Sequence, residues 1–269
     1  MTASDSAFSG SIPALYHDHL GPMLFKPYAE DMARRVAALG PRRILETAAG
    51  TGIVTEALAR ALPEARIVAT DLNQAMLDVA APRIGSDRVT LQQADAQALP
   101  FDDASFDAIV CQFGVMFFPD RVGAYREARR VLAPGGAFLF NVWDSLEENP
   151  VSKLIAETVA GLFPDDPPSF LQRTPFGYHD LARIEADLRA AGFTDIRSET
   201  VRKTSLVAAA RIAAIGMTHG SPLRAEIEAQ GEGSLERATD AVAAALAERG
   251  YDAGGEEPLS AHVVTATSA

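Results

Sequence analysis

The chain reads RILETAAGTG from Arg43 to Gly52, where a short apolar run passes into a turn with two glycines. Glycine at Gly50 and Gly52 permits a tight turn and lets a ligand approach the backbone closely. After the turn, apolar residues recur at helical spacing over 53–61. A strand, a glycine turn and a helix in this order predict the first unit of a parallel α/β sheet.

The same alternation of apolar runs and amphipathic stretches continues over 42–143. Strands are predicted over 43–46, 66–70, 89–93, 106–112 and 137–143, and later over 193–201 and 262–267. Helices are predicted over 53–61, 74–84, 125–132, 179–191, 208–215 and, with an interruption, 223–251. The sequence therefore predicts a doubly wound α/β fold with a mostly parallel sheet.

The composition indicates a chain with a sizeable core and an acidic balance. Hydrophobic residues make up 48% of the 269 residues, and 36 acidic residues against 24 basic ones give a formal net charge of -12. Proteins that bind nucleic acid need a concentrated basic face, whereas the densest basic clusters here are pairs such as Arg42-Arg43. We therefore expect no nucleic-acid partner and no attraction to anionic membranes.

Several other classes of protein are disfavoured by features that the sequence lacks. Cys111 is the only cysteine, which excludes an intrachain disulfide and a zinc site with two cysteines. No metal-ligand spacing is evident, so we expect no metal site. The N-terminus has no secretory signal pattern, and no apolar run approaches the ~20 residues of a membrane helix. We expect a cytoplasmic protein without a membrane span, and a homodimer stays open.

Acidic residues follow the second and third predicted strands. A carboxylate at Asp71 can accept both hydroxyls of a ribose, which suggests a ligand that contains a nucleoside. The structural alternative is a cap for the helix that starts near Gln74. Asp95 can accept from an adenine amino group while the N–H of Ala96 donates to a ring nitrogen, although an acidic residue here, taken alone, is more often a solvated loop residue.

Gln112 and Phe113 end the fourth predicted strand, at the edge where open α/β sheets bind their ligands. The surrounding sequence is LPFDDASFDAIVCQFGVMFFPD over 99–120, and PGG follows at 134–136. With the glycine turn and the two aspartates, these features resemble a class I S-adenosylmethionine (SAM)-dependent methyltransferase. The group in question includes the ubiquinone and menaquinone biosynthesis C-methyltransferases. The resemblance covers 42–143 well and the final strands more loosely.

The resemblance implies a Rossmann-like, seven-stranded sheet with an antiparallel last strand and a helical cover. It also implies a single methyltransferase domain over 1–269. Its parts would be an N-terminal cover (1–41), a cofactor-binding core (42–143), a segment that completes the sheet and covers the substrate (144–258) and a final strand (259–269). The ligand would be SAM, and the product S-adenosylhomocysteine.

The family's cofactor contacts carry over to positions that match its pattern. Glu46 stands where aspartate is commonest, and Ala48 stands where glycine is frequent, so a methyl group there could crowd the ligand. Tyr16, in the predicted cover, is the first choice for an aromatic face that stabilises the sulfonium. The residues implied to bind SAM are Tyr16, Glu46, Thr47, Ala48, Gly50, Asp71, Leu72, Met76, Asp95, Ala96, Gln112 and Phe113.

The chemistry implied is in-line displacement of a methyl group onto a small organic molecule. The protein would act by positioning and by keeping water out, and alignment of this kind contributes roughly 7–11 kcal/mol. A general base is needed only if the acceptor holds its proton tightly. His17, beside Tyr16, and His219, expected in a loop between two helical stretches, are the candidates. Whether oxygen, nitrogen, carbon or sulfur is methylated stays open.

Two other functions share parts of this pattern. An NAD-dependent dehydrogenase has a similar glycine turn, but Thr55 occupies its third glycine position and no Tyr-x-x-x-Lys pair is present. A non-catalytic module that binds SAM would keep every cofactor residue. The sequence does not separate that module from an enzyme, although the long covering segments favour turnover.

Overall fold

The computed structural model describes residues 8–267 of the chain. The first seven residues of the predicted N-terminal cover and the last two of the predicted final segment lie outside this range. Within it, no helix is both long enough and apolar enough to cross a membrane.

Seven strands form one sheet in the order β3-β2-β1-β4-β5-β7-β6. The strands are β1 (Arg43–Glu46), β2 (Arg66–Asp71), β3 (Val89–Gln93), β4 (Phe106–Gln112), β5 (Leu132–Trp143), β6 (Asp195–Val207) and β7 (Gly255–Thr267). β7 runs antiparallel to β5 and β6, while the pairs among β1 to β5 are parallel. This confirms the predicted fold class, including the antiparallel last strand.

Helices cover both faces of the sheet and its open edge. The α-helices are α1 (Ile12–Leu15), α2 (Lys26–Ala37), α3 (Ile53–Ala61), α4 (Gln74–Ala80), α5 (Arg121–Val131), α6 (Pro150–Leu162), α7 (Phe170–Arg173), α8 (Leu181–Ala190), α9 (Ala210–His219), α10 (Leu223–Glu228) and α11 (Ser234–Glu248). A π-helix over Tyr16–Phe25 joins α1 to α2, and three-residue 3₁₀ turns lie at 81–83, 115–117 and 146–148.

The parallel pairing brings four strand ends to one edge of the sheet. β1 lies between β2 and β4, and Glu46 is in register with Ala69 on one side and Val110 on the other. β2 pairs with β3 as far as Asp71 and Gln93. The loops that follow these strands therefore meet at the carboxyl edge, which is where open α/β sheets bind ligands.

The later strands differ from their predicted bounds. β5 begins at Leu132 rather than at residue 137, because Leu132 already pairs with Phe106 before an irregularity in the register. Gly135, with φ 78, lies inside this irregular stretch, so the PGG segment is part of the strand. β6 and β7 pair in an unbroken antiparallel ladder from Asp195 to Val207, which extends both strands beyond their apolar segments.

The buried core occupies both sides of the sheet. On one side, α2 and α3 pack through residues such as Met32 and Leu58 against the first strands. On the other side, a larger cluster includes Phe138 and Phe140 of β5. The Tyr28 hydroxyl donates to the Val201 carbonyl at 3.1 Å, which attaches the N-terminal helices to β6. The cover is thus fixed to the sheet near its carboxyl edge.

The ends of β1 and β4 approach each other closely at Gly114. A Cβ atom at this position would lie 2.5 Å from the Ala48 Cβ and 2.7 Å from the Cys111 Sγ. Real Cβ atoms essentially never come this close to other atoms. Only glycine therefore allows the two strand ends to meet without movement of the backbone.

We expect Gly114→Ala to lower the free energy of unfolding by about 1–3 kcal/mol, because the new methyl overpacks a buried contact. Gly161→Ala is the matched control. Gly161 is an exposed helical glycine with open space around it, and alanine there should raise stability by about 0.5–1 kcal/mol. Urea unfolding of both variants measures these changes. Equal effects of the two substitutions would contradict the close approach.

Candidate functional site

The turn after β1 is built from residues with left-handed backbone conformations. Ala48 has φ 52, Gly50 has φ 57 and Gly52 has φ 82. Such angles cost an alanine roughly 1–2 kcal/mol, which explains why glycine is frequent at position 48. The methyl of Ala48 points toward Gly114, whose missing side chain leaves room for it. The crowding expected at Ala48 is thus relieved on the β4 side.

Asp71 connects this turn to the loop after β2. Its Oδ2 accepts from the Gly50 N–H at 2.8 Å, and its Oδ1 accepts from the Asn73 N–H at 2.8 Å. Burial raises the pKa of this carboxyl, while the backbone donors act in the opposite direction. Asn73 is the residue before α4, and its side chain makes no capping bond there. Asp71 therefore shapes the site and does not cap the helix.

Glu46 lies at the end of β1, directly below the turn. It is 1% exposed, and its Oε2 accepts from the Thr55 hydroxyl at 2.7 Å. Burial, with a smaller effect from the nearby Asp71 carboxylate, raises the pKa of Glu46 to about 8. Thr55, which fills the third position of the dinucleotide-type glycine pattern, thus has a defined structural role in α3.

A first cavity opens along the carboxyl edge of β1 to β4 and spans about 800 Å³ of atom-free space, part of which is open to solvent. The residues implied to bind SAM line it, except Glu46 and Thr47. Glu46 lines a smaller cavity beside the turn, and Thr47 is buried and donates its N–H to the Val110 carbonyl at 2.9 Å. The first cavity is also lined by residues outside that set: Phe8, Asn73, Ala94, Gln97, Gly114, Phe117, Phe118 and Pro119.

The two ends of this cavity carry polar groups with different surroundings. At one end, Asp95 Oδ1 accepts from the Gln97 N–H at 2.8 Å, which orders the loop after β3. At the other end, Gln112 Nε2 donates to the Phe25 carbonyl at 3.2 Å. The Gln112 Oε1 is buried and has no hydrogen-bond partner among the described residues. A donor on a bound ligand would pair with this oxygen.

A second cavity lies next to the first and encloses about 560 Å³ of atom-free space. Phe8, Tyr16, Phe113 and Phe117 line both cavities, so the two adjoin at these rings. The residues that line the second cavity but not the first are Leu20, Leu24, Phe25, Met116, Trp143, Ser152, Phe170, Leu171, Pro175, Phe176, Met217, Ser221 and Pro222. No charged side chain occurs in this lining, as far as residues 8–267 show.

Aromatic rings set the shape of the second cavity. The Phe113 ring stacks on Trp143 with centroids 3.8 Å apart and an interplanar angle of 10°. Tyr16 stacks on Phe25 at 4.7 Å and 19°. Phe113 has φ 53, and its N–H donates to the Asn141 side chain at 3.0 Å, which holds the ring in place. Flat, apolar walls of this kind suit a planar ligand.

The two candidate histidines lie elsewhere. The His17 Nδ1 is 2.9 Å from the Thr51 hydroxyl, and the His219 Nε2 is 3.1 Å from the Thr239 hydroxyl. Neither lines the first or the second cavity. His219 is the last residue of α9 and does not lie in a loop as predicted. The helix ends only at Gly220, whose N–H bonds to the Gly216 carbonyl. The general-base role stays a prediction, and this geometry does not support it.

Burial lowers the pKa of both imidazoles. At His17, Arg83 adds to the effect, and at His219, Arg224 does the same. Both side chains are therefore neutral over a wider range of pH than a free histidine.

The raised pKa of Glu46 predicts a pH dependence of stability. Unfolding releases the side chain to an ordinary pKa near 4.3, so the folded state is favoured below that pH and loses this stability as pH rises toward about 8. Glu46→Gln should abolish the contribution of Glu46 to the slope of the free energy of unfolding against pH. That contribution is at most about 1.4 kcal/mol per pH unit. Urea unfolding between pH 5 and pH 8 measures it. Glu64→Gln, at an exposed carboxylate, is the control and should keep the slope of the unaltered chain. If Glu46→Gln had the same slope as Glu64→Gln, the raised pKa of Glu46 would be contradicted.

Comparison with known proteins places this site in a family. Residues 45–140 match the family described as "Methyltransferase domain". Demethylmenaquinone methyltransferase of Clavibacter sepedonicus is 34% identical over 173 residues, which are 61% of this chain and 70% of that protein. The chain spans less of some other curated relatives, 44% and 46% of two of them.

Two solved structures share the fold at low sequence identity. YcgJ of Bacillus subtilis has a TM-score of 0.58 and 20% identity, covering 90% of this chain and 99% of that one. Phosphoethanolamine N-methyltransferase 2 of Haemonchus contortus, in complex with SAM, has a TM-score of 0.59 and 19% identity, covering 95% of this chain and 56% of that one. The sequence matches go further than the fold: the chain belongs to the SAM-dependent methyltransferase family.

Proposed function

We propose that the chain binds SAM in the first cavity and transfers its methyl group in line to a small organic molecule in the second. The adjoining cavities carry this proposal, because Tyr16, Phe113 and Phe117 line both of them. The first cavity has polar groups at strand ends, and the lining of the second is mainly apolar. We further propose that all of 1–269 acts as one methyltransferase domain, and we leave the homodimer as a prediction.

The residues of the first cavity fit SAM. Each oxygen of Asp71 accepts a 2.8 Å bond from one backbone N–H, and Oδ1 accepts a longer one of 3.5 Å from Asn73 Nδ2. A carboxylate has about four acceptor positions, so Asp71 can still accept from a ribose hydroxyl. The unpaired Gln112 Oε1 suits a donor such as the ammonium group of the methionine part. Gly50 presents backbone without a side chain, and Met76 lies beside it. Leu72, Asp95 and Ala96 lie at the opposite end, where the adenine would bind.

The second cavity would act by alignment and by exclusion of water. SAM, when bound, supplies a methyl group that its sulfonium has already activated. Tyr16 lies at the junction of the cavities, and an aromatic face there stabilises a cation by about 0.5–2 kcal/mol. Burial, with a smaller effect from Asp71, raises the pKa of Tyr16, so its hydroxyl stays neutral and does not serve as a base.

We infer that the acceptor is a quinol-like aromatic ring, methylated at carbon. The relatives named demethylmenaquinone methyltransferases support this choice, and so do the flat apolar walls of the second cavity. Within residues 8–267, its lining includes no carboxylate and no imidazole. The proposal therefore assigns catalysis to positioning and desolvation, with the proton of the acceptor passing to solvent.

We expect Asp71→Asn to weaken SAM binding about tenfold to hundredfold, because a hydrogen bond to a charged group contributes about 1.5–3 kcal/mol. Titration calorimetry measures the dissociation constant, and a thermal melt checks that the variant is folded. Asp102→Asn, at an exposed carboxylate in the loop before β4, is the control and should bind as the unaltered chain does. Equal affinities of the two variants would exclude a ribose contact at Asp71.

The reaction itself is tested by formation of S-adenosylhomocysteine with a panel of a naphthoquinol, a phenol and an amine. We expect turnover with the quinol and a methylated ring carbon in the product. Binding of SAM without turnover on any acceptor would favour the non-catalytic module, and absence of SAM binding would sink the proposal. His17→Ala and His219→Ala, assayed on the same acceptor, test the general base: unchanged rates for both would dismiss it.

A further inference from the structure

One hydroxyl that lines only the second cavity, that of Ser152, has no hydrogen-bond partner among the described residues. Ser152 lines this cavity and is only 3% exposed. Its hydroxyl makes no hydrogen bond to any of the residues 8–267. Ser221 lines the same cavity, but its hydroxyl donates to the Met217 carbonyl at 2.8 Å. The Ser152 hydroxyl therefore faces the cavity and can donate to a ligand bound there.

The position of Ser152 in its helix favours an oxygen as that ligand group. Ser152 lies in the first turn of α6, where backbone N–H groups lack helical partners and carry a partial positive charge. No side chain caps this end of α6. Both the hydroxyl and its surroundings are therefore suited to an acceptor atom on the ligand.

This first turn is held rigidly against the sheet. The Asn149 Nδ2 donates to the Ser260 carbonyl at 3.1 Å, and the Ser260 N–H donates back to the Asn149 Oδ1 at 3.0 Å. Ser260 belongs to β7, so a strand and not a loop positions the start of α6. The Ser152 hydroxyl is thus available at a fixed place in the cavity wall.

The rest of the lining restricts the ligand further. The Phe113 and Trp143 rings stack almost parallel, and Phe176 continues this surface 6.0 Å from Trp143. Without a counter-charge in the lining described, a fully charged ligand would lose its hydration and gain no ion pair. A flat ring with one oxygen substituent fits between the aromatic walls and carries no full charge.

We propose that Ser152 determines acceptor specificity by donating a hydrogen bond to a carbonyl or phenol oxygen on a planar aromatic ring. The proposal rests on the proposed function, because it takes the second cavity to be the acceptor site. Ser152 lines only that cavity, so it acts on the acceptor and not on SAM.

The test compares two probes of the same shape, 4-phenylphenol and 4-methylbiphenyl. Trp143 is the only tryptophan of the chain and lines the cavity, so its fluorescence reports binding, and calorimetry checks the dissociation constants. One neutral hydrogen bond of about 1 kcal/mol corresponds to roughly a fivefold difference in affinity. We expect the unaltered chain to prefer 4-phenylphenol about fivefold, and Ser152→Ala to lose most of this preference because it binds 4-phenylphenol, and not 4-methylbiphenyl, more weakly.

Two further variants make the result specific. Ser221→Ala removes a hydroxyl from the same cavity that is already bonded, and should keep the preference for 4-phenylphenol. Ser152→Thr retains the hydroxyl and should keep part of it. A preference that survives in Ser152→Ala would overturn the proposal, and so would a chain that binds neither probe.

The outcome separates this proposal from the proposed function. Calorimetry with SAM alone does not involve Ser152, so a chain that fails to bind SAM but shows the predicted loss in Ser152→Ala would contradict only the methyltransferase proposal. A chain that methylates a quinol while Ser152→Ala keeps the probe preference would contradict only the role of Ser152.

Discussion

A buried carboxylate bonded to two backbone N–H groups holds the functional edge of this protein together. Asp71 is 7% exposed and joins the turn after β1 to the loop after β2 through the N–H groups of Gly50 and Asn73. Burial disfavours its charged form, and these donors compensate in part. The turn keeps its left-handed backbone because this anchor lies beside it. The first cavity depends on that turn, and the second cavity adjoins the first.

The first half of the sheet could be predicted from the sequence because its signals are local. β1, β3 and β4 have the predicted bounds, since each is a short apolar run followed by glycine or acidic residues. Pairing partners set the later strands. Leu132 belongs to β5 because it pairs with Phe106, and Thr204 belongs to β6 because it pairs with Pro258 of β7. Neither position is marked as a strand residue by the sequence alone. The π-helix over Tyr16–Phe25 was also not predicted from the sequence.

The candidate site also contains residues that the sequence predicts and residues that only the folded structure brings together. Asp71, Asp95 and Gln112 could be found because they follow strands directly, and parallel strands place such residues at one edge. Trp143 and Ser152 were missed as cavity residues, since only tertiary packing brings them next to Phe113. The histidines show the opposite case: a titratable side chain near the right segment attracts attention, but His17 and His219 bond to threonine hydroxyls outside both cavities.

The second cavity is assembled from stretches far apart along the chain, namely the π-helix, the start of α6, the region of α7 and the end of α9 with the residues after it. All four lie outside 45–140, the part that matches the methyltransferase family. The family match therefore bears mainly on the strand edge, whereas the covering segments shape the second cavity. Substitutions in these covering segments can therefore change the shape of the second cavity without altering the turn that Gly50 and Asp71 form.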